Sequence, residues 1–327
     1  MTRVLVCIVA FNSKQHWPEL RTALEAQTYT DFCTIVVDNA SRTEQRLSPS
    51  ELPANTRLLQ LEDNFGFAKA NNLAAQESHA EFFVTLNPDA FPAPDWLERL
   101  VAAADASPQT AAFGSLQISA LDPDKLDGAG DEYWFGGLPY RSLYNGQRAR
   151  DPGPGRTFSA CAAAALYRRK AFLDLGGFDE DFFCYCEDVD LGFRLRLQGH
   201  DIQQAPGAIV RHVGGGTVGA RSPFAIYHGT RNRLWTFIRN MPGAYFYALA
   251  PIHAAMTILI LAWSLARGTA YPTWRGLADG LRGSQTIWRK RRLTQRARTA
   301  PDSEVVGAMV FSPPAAIYRN TKRHRSE

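Results

Sequence analysis

Five cysteines are few for 327 residues, and no two of them form a CxxC pair, so a thioredoxin-like redox motif is absent. Cys184 and Cys186 are separated by a single residue, too tight for a usual zinc knuckle. The odd count and the wide spacing from Cys7 and Cys33 to Cys161 argue for buried free thiols in a reducing compartment. There is no low-complexity tract, and the 45% hydrophobic and 21% charged residues are those of a globular protein. The net charge of +4 is too small to indicate nucleic-acid binding by itself. The first apolar run, in MTRVLVCIVAFNS, is about eight residues long and ends without a cleavage-like site. It reads as a buried strand rather than a signal peptide. A chain of this length can bury a large core as one α/β domain, or as one domain with an accessory piece.

What is present alternates. Residues 4–10 are a continuous β-branched and aliphatic run, and 20–26 have helical character. Further apolar runs at 33–41, 56–64 and 81–90 end in polar residues, with helical stretches at 66–78 and 95–107 between and after them. This order predicts a mostly parallel, doubly wound sheet that binds ligands at the carboxyl ends of its strands. Asn12, Asp38, Asn64, Asn87 and Asp89 stand at those ends. Residues 128–155 are rich in glycine, proline, aromatics and arginine without a period, and read as a long loop or irregular strands over a site.

The C-terminal part differs. Residues 245–266 carry no charge and are long enough to span a bilayer, though Pro251 and His253 interrupt them. Residues 267–298 are rich in arginine around WRKRR, with apolar residues interleaved and one acid, Asp279. The expectation is a helical pair lying on an anionic membrane surface. A true span and a hairpin packed on the rest of the protein are the alternatives. Nucleic acid is not expected, because the basic segment adjoins an uncharged apolar stretch.

The chemistry concentrates in FFCYCEDVDLGFRLR, residues 182–196. Val189, Phe193 and Leu197 share one helical stripe, Leu191 and Leu195 another, and Gly199 suits a helix end. Glu187, Asp188 and Asp190 then fall in the first turn, where the helix dipole favours anions. The preceding Phe182, Phe183 and Tyr185 would desolvate a carboxylate and raise its pKa toward that of a useful general base. Asp89, after a strand and a proline, suits a divalent cation if the substrate brings a diphosphate. His212, before a glycine run, suits a metal or diphosphate contact, and Asp38 suits a base or ribose.

The segments VLVCIVAFNS, VVDNAS, NFGFAKANN and LNPDA, with the run from Gly176 to Thr217, together resemble the family 2 nucleotide-sugar glycosyltransferases, and most closely the bacterial rhamnosyltransferase-like branch. The resemblance covers about residues 3 to 240. It implies a GT-A fold, an α/β Rossmann-like and mostly parallel sheet with flanking helices, here with a C-terminal helical extension. It implies a sugar transfer, with the rhamnose of dTDP-rhamnose favoured by the resemblance, to a glycan or lipid-linked glycan with inversion. Galactofuranose, N-acetylhexosamine and glucose are alternative donors, and an inactive nucleotide-sugar-binding scaffold is the non-enzymatic one. Asp188 matches the family's catalytic base, with Glu187 orienting the acceptor or Asp188. Ala10, Asn12, Asp38, Asn64, Gly66, Phe67, Asn72 and Asn87 match the donor-binding segments. Asp89 and His212 match positions near a Mg²⁺ or Mn²⁺ ion. Asn87 replaces the first acid of the family's Asp-x-Asp. Arg231, with Asn232 and Arg233, would close over the diphosphate. The expected organisation is a catalytic domain at 1–240, a helical membrane-associated extension at 241–300 and a poorly ordered tail at 301–327. The expected location is cytoplasmic, at the inner face of the cell membrane.

Overall fold

The computed structural model describes residues 2–148, 155–214 and 222–312. The first strand, β1 (Val4–Ala10), is buried at all seven positions. Its side chains alternate across the sheet. Val4, Val6 and Ile8 pack with Trp17, Leu20 and Leu24 of α1 (Trp17–Glu25). Leu5, Cys7 and Val9 pack with Ala68, Ala70 and Ala74 of α2 (Gly66–Gln76). Each such aliphatic side chain gains about 1.5–3 kcal/mol over exposure. Coverage on both faces is why the run has no polar alternation.

β2 (Phe32–Asn39) and β3 (Thr56–Leu61) extend the sheet on one side of β1, and β4 (Phe82–Leu86) pairs with it on the other, all parallel. This half is the doubly wound one that the strand–helix alternation predicts. β5 (Ala90–Pro92) and α3 (Trp96–Ala106) follow, then β6 (Thr110–Ser119). Beyond β4 the sheet becomes mixed. β11 (Ala164–Arg168) lies antiparallel between β4 and β6, and β12 (Asp201–His212) runs parallel to β6. Among the described residues, ten strands form this sheet.

The glycine-rich region is ordered where it is described. β7 (Leu126–Ala129) pairs with β6, β8 (Asp131–Trp134) and β9 (Leu138–Arg141) form a separate hairpin, and β10 (Gly155–Arg156) edges β12. Residues 149–154 lie outside the described residues, as do Gly215, Gly216 and Thr217 of the glycine run. A short helix, α4 (Arg169–Asp174), leads to the turn before α5 (Glu187–Leu197).

α5 is buried on nearly every side, which explains its two apolar stripes. Leu191 and Leu195 join the cluster under the sheet. Val189, Phe193 and Leu197 join a second cluster with the C-terminal helices α6 (Pro223–Asn240), α7 (Gly243–Ala266), α8 (Ala270–Arg282) and α9 (Ser284–Ala297). That cluster holds Trp235 and Phe237 from before residue 240 and Phe246 and Ile287 from after it, so one core crosses the expected boundary.

The expected poorly ordered tail needs correction at its start. α10 (Asp302–Gly307) buries Val305 and Val306 in the same core, and Val310 donates its N–H to the Tyr133 carbonyl at 2.9 Å. Residues 313–327 lie outside the described residues.

α7 is long and apolar enough to cross a membrane by length and composition, with mean hydropathy 1.8 in its best window. Its buried positions are partly polar. His253 stacks on Phe237 at 4.1 Å, and Arg233 donates to Thr257 at 2.8 Å. The helix therefore has one side committed to the protein and one side, with Tyr247, Leu259 and Trp263, open.

Candidate active site

The carboxyl ends of the parallel strands form one rim. Ala10 and Asp38 line a cleft there with Ser13, Lys14, Ser41 and Pro88. Asp38 is 3% exposed, and its Oδ1 accepts the Ser41 N–H at 2.9 Å. Asn12, at φ 50°, donates its N–H to Ser41 Oγ and accepts the Arg42 N–H, so it braces the rim. Asn64 Oδ1 accepts from Asn39 Nδ2 at 2.8 Å and from the Gly66 N–H at 3.0 Å. Gly66 has φ +83°, and a Cβ there would lie 2.5 Å from the Phe183 carbonyl oxygen. Glycine is required on both counts. Phe67 stands against Phe178 with ring centres 5.9 Å apart.

Two of the expected donor contacts have partners within the protein. Asn72 is buried, donates to the Phe178 carbonyl at 2.8 Å and accepts the Phe178 N–H at 2.9 Å. It ties α2 to the turn that follows Gly177. Arg231, expected over the diphosphate, meets backbone carbonyls and an indole. Its Nη2 donates to the Asp181 and Phe182 carbonyls at 3.0 and 2.9 Å, and its guanidinium lies 4.4 Å from the Trp235 ring centre. Those interactions fix it to the back of the 182–186 turn.

The three acids of α5 separate into different roles. Asp190 is fully buried and structural: it meets Arg194 at 2.8 Å, Arg239 at 3.2 Å and Asn240 at 2.7 Å. Burial works to raise its pKa, but the two arginines outweigh burial and hold it below the ordinary range. Asp188 is half-buried in the first turn of α5. Its Oδ2 accepts the Ala162 N–H at 3.0 Å and its Oδ1 the Val189 N–H at 2.8 Å. Burial raises its pKa against those two donors. Glu187 is buried with Oε2 unpartnered, and burial, then the Asp188 charge, pushes its carboxyl well up.

At the other end stand Asp89 and His212. His212 Nε2 lies 3.3 Å from Asp89 Oδ1, and its Nδ1 lies 2.7 Å from Asp127 Oδ2. Asn87 Nδ2 is 3.5 Å from the same Nε2. Burial works to raise both carboxyls, yet the His212 contacts hold Asp89 and Asp127 below the ordinary range. Asp127 also pairs with Arg141, whose charge reaches Asp131 and Asp188 as well. A row of alternating charge thus joins the acids of α5 to Asp89.

The sequence reading missed Asp127, Asp131 and Arg141. Their one signal is a pair of acids four residues apart among the glycines of KLDGAGDEYW. Asp131 and Cys161 each bring an atom within 4.8 Å of Asp188. Burial pushes the Cys161 thiol up to about 12, so it stays protonated and is a poor ligand for a hard cation. Burial and then Asp188 also raise Asp131 well above its ordinary value. This trio fits a shared proton better than a metal. Asp89 and His212 fit a divalent cation better: a carboxylate and an imidazole lie side by side, and a second carboxylate orients the imidazole through Nδ1.

A parallel sheet edge with an acid at a helix mouth and a carboxylate–histidine pair across the cleft is the layout of a GT-A glycosyltransferase. A profile of glycosyl transferase family 2 matches residues 5–176, and the chain belongs to that family. The N-acetylglucosaminyl-diphospho-decaprenol L-rhamnosyltransferase of Mycobacterium tuberculosis is 27% identical over 237 residues, 65% of this chain and 76% of that protein. The O-antigen biosynthesis protein RfbC of Myxococcus xanthus is 32% identical over 195 residues, 55% of this chain but 15% of that protein. These relatives put the chain in the rhamnosyltransferase-like branch. Solved structures share the fold at low identity. S. aureus TarS 1–349 in complex with UDP has a TM-score of 0.55 at 17% identity, covering 98% of this chain and 92% of that one. The mannosyltransferase PcManGT from Pyrobaculum calidifontis, in complex with GDP-Man and Mn²⁺, has a TM-score of 0.52 at 18% identity, covering 94% and 85%.

Proposed function

We propose that this glycosyltransferase moves rhamnose from dTDP-rhamnose to a glycan or lipid-linked glycan, with inversion at the anomeric carbon. The observation that carries the reading is Asp188, a carboxylate raised by burial, held by two backbone N–H groups and aimed out of a helix mouth. Asp188 takes the proton of the acceptor hydroxyl as that oxygen bonds to the anomeric carbon. The bond from that carbon to the diphosphate breaks, and the nucleoside diphosphate leaves with the electron pair. Glu187 keeps the acid end poised by its proximity to Asp188. The cleft with Ala10 and Asp38 suits the nucleoside, with Asn12, Asn64, Gly66, Phe67 and Asn87 from the neighbouring strand ends and turns.

Asp89 and His212 would hold the divalent ion, and a histidine ligand favours Mn²⁺ over Mg²⁺, which takes oxygen ligands. When bound, the ion supplies positive charge to the leaving diphosphate. Rhamnose and a polyprenol-linked acceptor are supported by the printed activity of the mycobacterial relative. A location at the inner membrane face is supported by the open side of α7 and α8, which carries Leu259, Trp263, Tyr271 and Trp274 beside Arg267 and Arg275.

A donor screen tests the reading. The purified protein is incubated with a panel of nucleotide sugars and Mn²⁺, Mg²⁺ or EDTA, with a prenyl-diphosphate-linked N-acetylglucosamine as acceptor. Nucleoside diphosphate release from dTDP-rhamnose alone, abolished by EDTA, is the expected result. Release from another donor keeps the reaction and replaces the sugar. Thermal stabilisation by a donor without release would make the chain a binding protein.

A further inference from the structure

Just before the acids of α5 the backbone adopts a conformation that its residues disfavour. Phe183, Tyr185 and Cys186 have φ angles of 64°, 71° and 64°. None is glycine, and two are bulky aromatics, for which this region is an outlier. Such a turn persists only where its surroundings over-determine it.

Asn232 does this. It lies in the middle of α6 and is 0% exposed. Its Nδ2 stands 2.9, 2.8 and 2.7 Å from the carbonyl oxygens of Phe182, Cys184 and Tyr185. Its Oδ1 accepts from Arg231 Nε at 2.9 Å, and Arg231 in turn donates to the Asp181 and Phe182 carbonyls. One amide therefore gathers three carbonyls that a regular helix or strand would have pointed elsewhere. From the opposite side the Ala68 N–H donates to the Phe183 carbonyl at 3.2 Å.

The turn aims functional groups. Cys186 is the left-handed N-cap of α5, and Glu187 and Asp188 follow it directly. Tyr185 is half-buried and lies two residues before Glu187.

We propose that Asn232 is a positioning residue that holds the 183–186 turn in its disfavoured conformation, so that Asp188 faces the acceptor before it binds. The inference rests on Asp188 being the base. Asn232→Leu tests it, since leucine keeps the shape and removes the donors. Should that variant fail to fold, Asn232→Ala leaves room for water at the same place. Two quantities are read: transfer kinetics, and thiol labelling by DTNB.

Loss of aim lowers kcat by about 100-fold with donor KM within about twofold. Release of the turn makes Cys184 label about tenfold faster, while Cys7 in β1 stays protected and reports intact folding. Adding Cys186→Gly, which takes φ 64° without strain, restores at least about fivefold of the lost kcat. A folded variant with wild-type kcat and wild-type Cys184 labelling overturns the proposal, as does a kcat loss that Cys186→Gly leaves untouched. Faster Cys184 labelling in a protein whose wild type transfers no sugar overturns the functional reading and leaves the clamp.

Discussion

At the residue scale the two ends of the site titrate in opposite directions. Burial dominates at Asp188 and Glu187 and raises both; at Asp188 it outweighs the Ala162 and Val189 N–H donors and the Arg141 charge. At Asp89 burial is outweighed by His212, and the carboxyl stays ionised. A base must be deprotonated to work, so transfer falls as pH drops through the raised Asp188 value. The acid limb of kcat/KM is expected above that of an ordinary aspartate, and a limb at or below the ordinary aspartate value would contradict the assignment. Asp188→Asn is expected to lower kcat by about 10²–10⁴ while donor KM stays near wild type, as read in steady-state transfer assays. Unchanged turnover would remove Asp188 as the base.

At the element scale the contacts between helices and turns set the tolerances. Gly66→Ala adds a Cβ that would meet the Phe183 carbonyl at 2.5 Å, at a φ that alanine disfavours. A loss of about 2 kcal/mol or more in urea unfolding is expected. His253, between α7 and the β8–β9 hairpin, is buried with Nδ1 3.2 Å from the Gly136 carbonyl. Burial, then the Arg233 charge, lowers its pKa from 6.5 to about 3. The unfolded chain therefore binds a proton below pH 6.5 that the folded chain refuses until about pH 3, and stability is lost as pH falls through that window. His253→Phe keeps the stack on Phe237 and removes the proton site. Between pH 7.5 and 5 it should lose about 2 kcal/mol less than wild type in denaturant melts. Equal pH slopes would show that His253 is protonated in the fold.

At the scale of the whole molecule the helical extension has two sides. One shares a core with α5 through Phe246 and Ile287. The other leaves Leu259, Trp263 and Trp274 at least half exposed beside arginines. Flotation with phosphatidylglycerol vesicles is expected to carry the protein at low salt. The triple change Leu259→Ser, Trp263→Ser and Trp274→Ser should weaken that binding about tenfold or more. Retained binding would move the contact elsewhere.

Much of the architecture was legible because its signals are local. Residues 4–10, 33–41 and 66–78 carry their periods within a few residues, and the observed elements begin and end close to them. The mouth of α5 was legible for the same reason: acids, apolar stripes and the end glycine fall within thirteen residues, 187 to 199. The rest of the site was not, because its contacts join distant positions. Asp127 meets His212 across 85 residues, and β8 and β9 show no hydrophobic period from which to place Asp131 and Arg141. The partners of Arg231 were not legible for a related reason. A cation near a diphosphate site suggests phosphate contact, but α6 packs it behind the turn, where carbonyl oxygens take its donors.

By itself the sequence determined the alternating strands and helices, the rim of polar residues at the strand ends and the acids at the start of α5, since burial periodicity and helix-end chemistry act between near neighbours. Only the tertiary structure decided which of those acids is raised and which is lowered, and which side chain holds the strained turn. Desolvation and through-space charge depend on what the fold brings against each group, and in this molecule those partners come from β7, β8, β9 and α6.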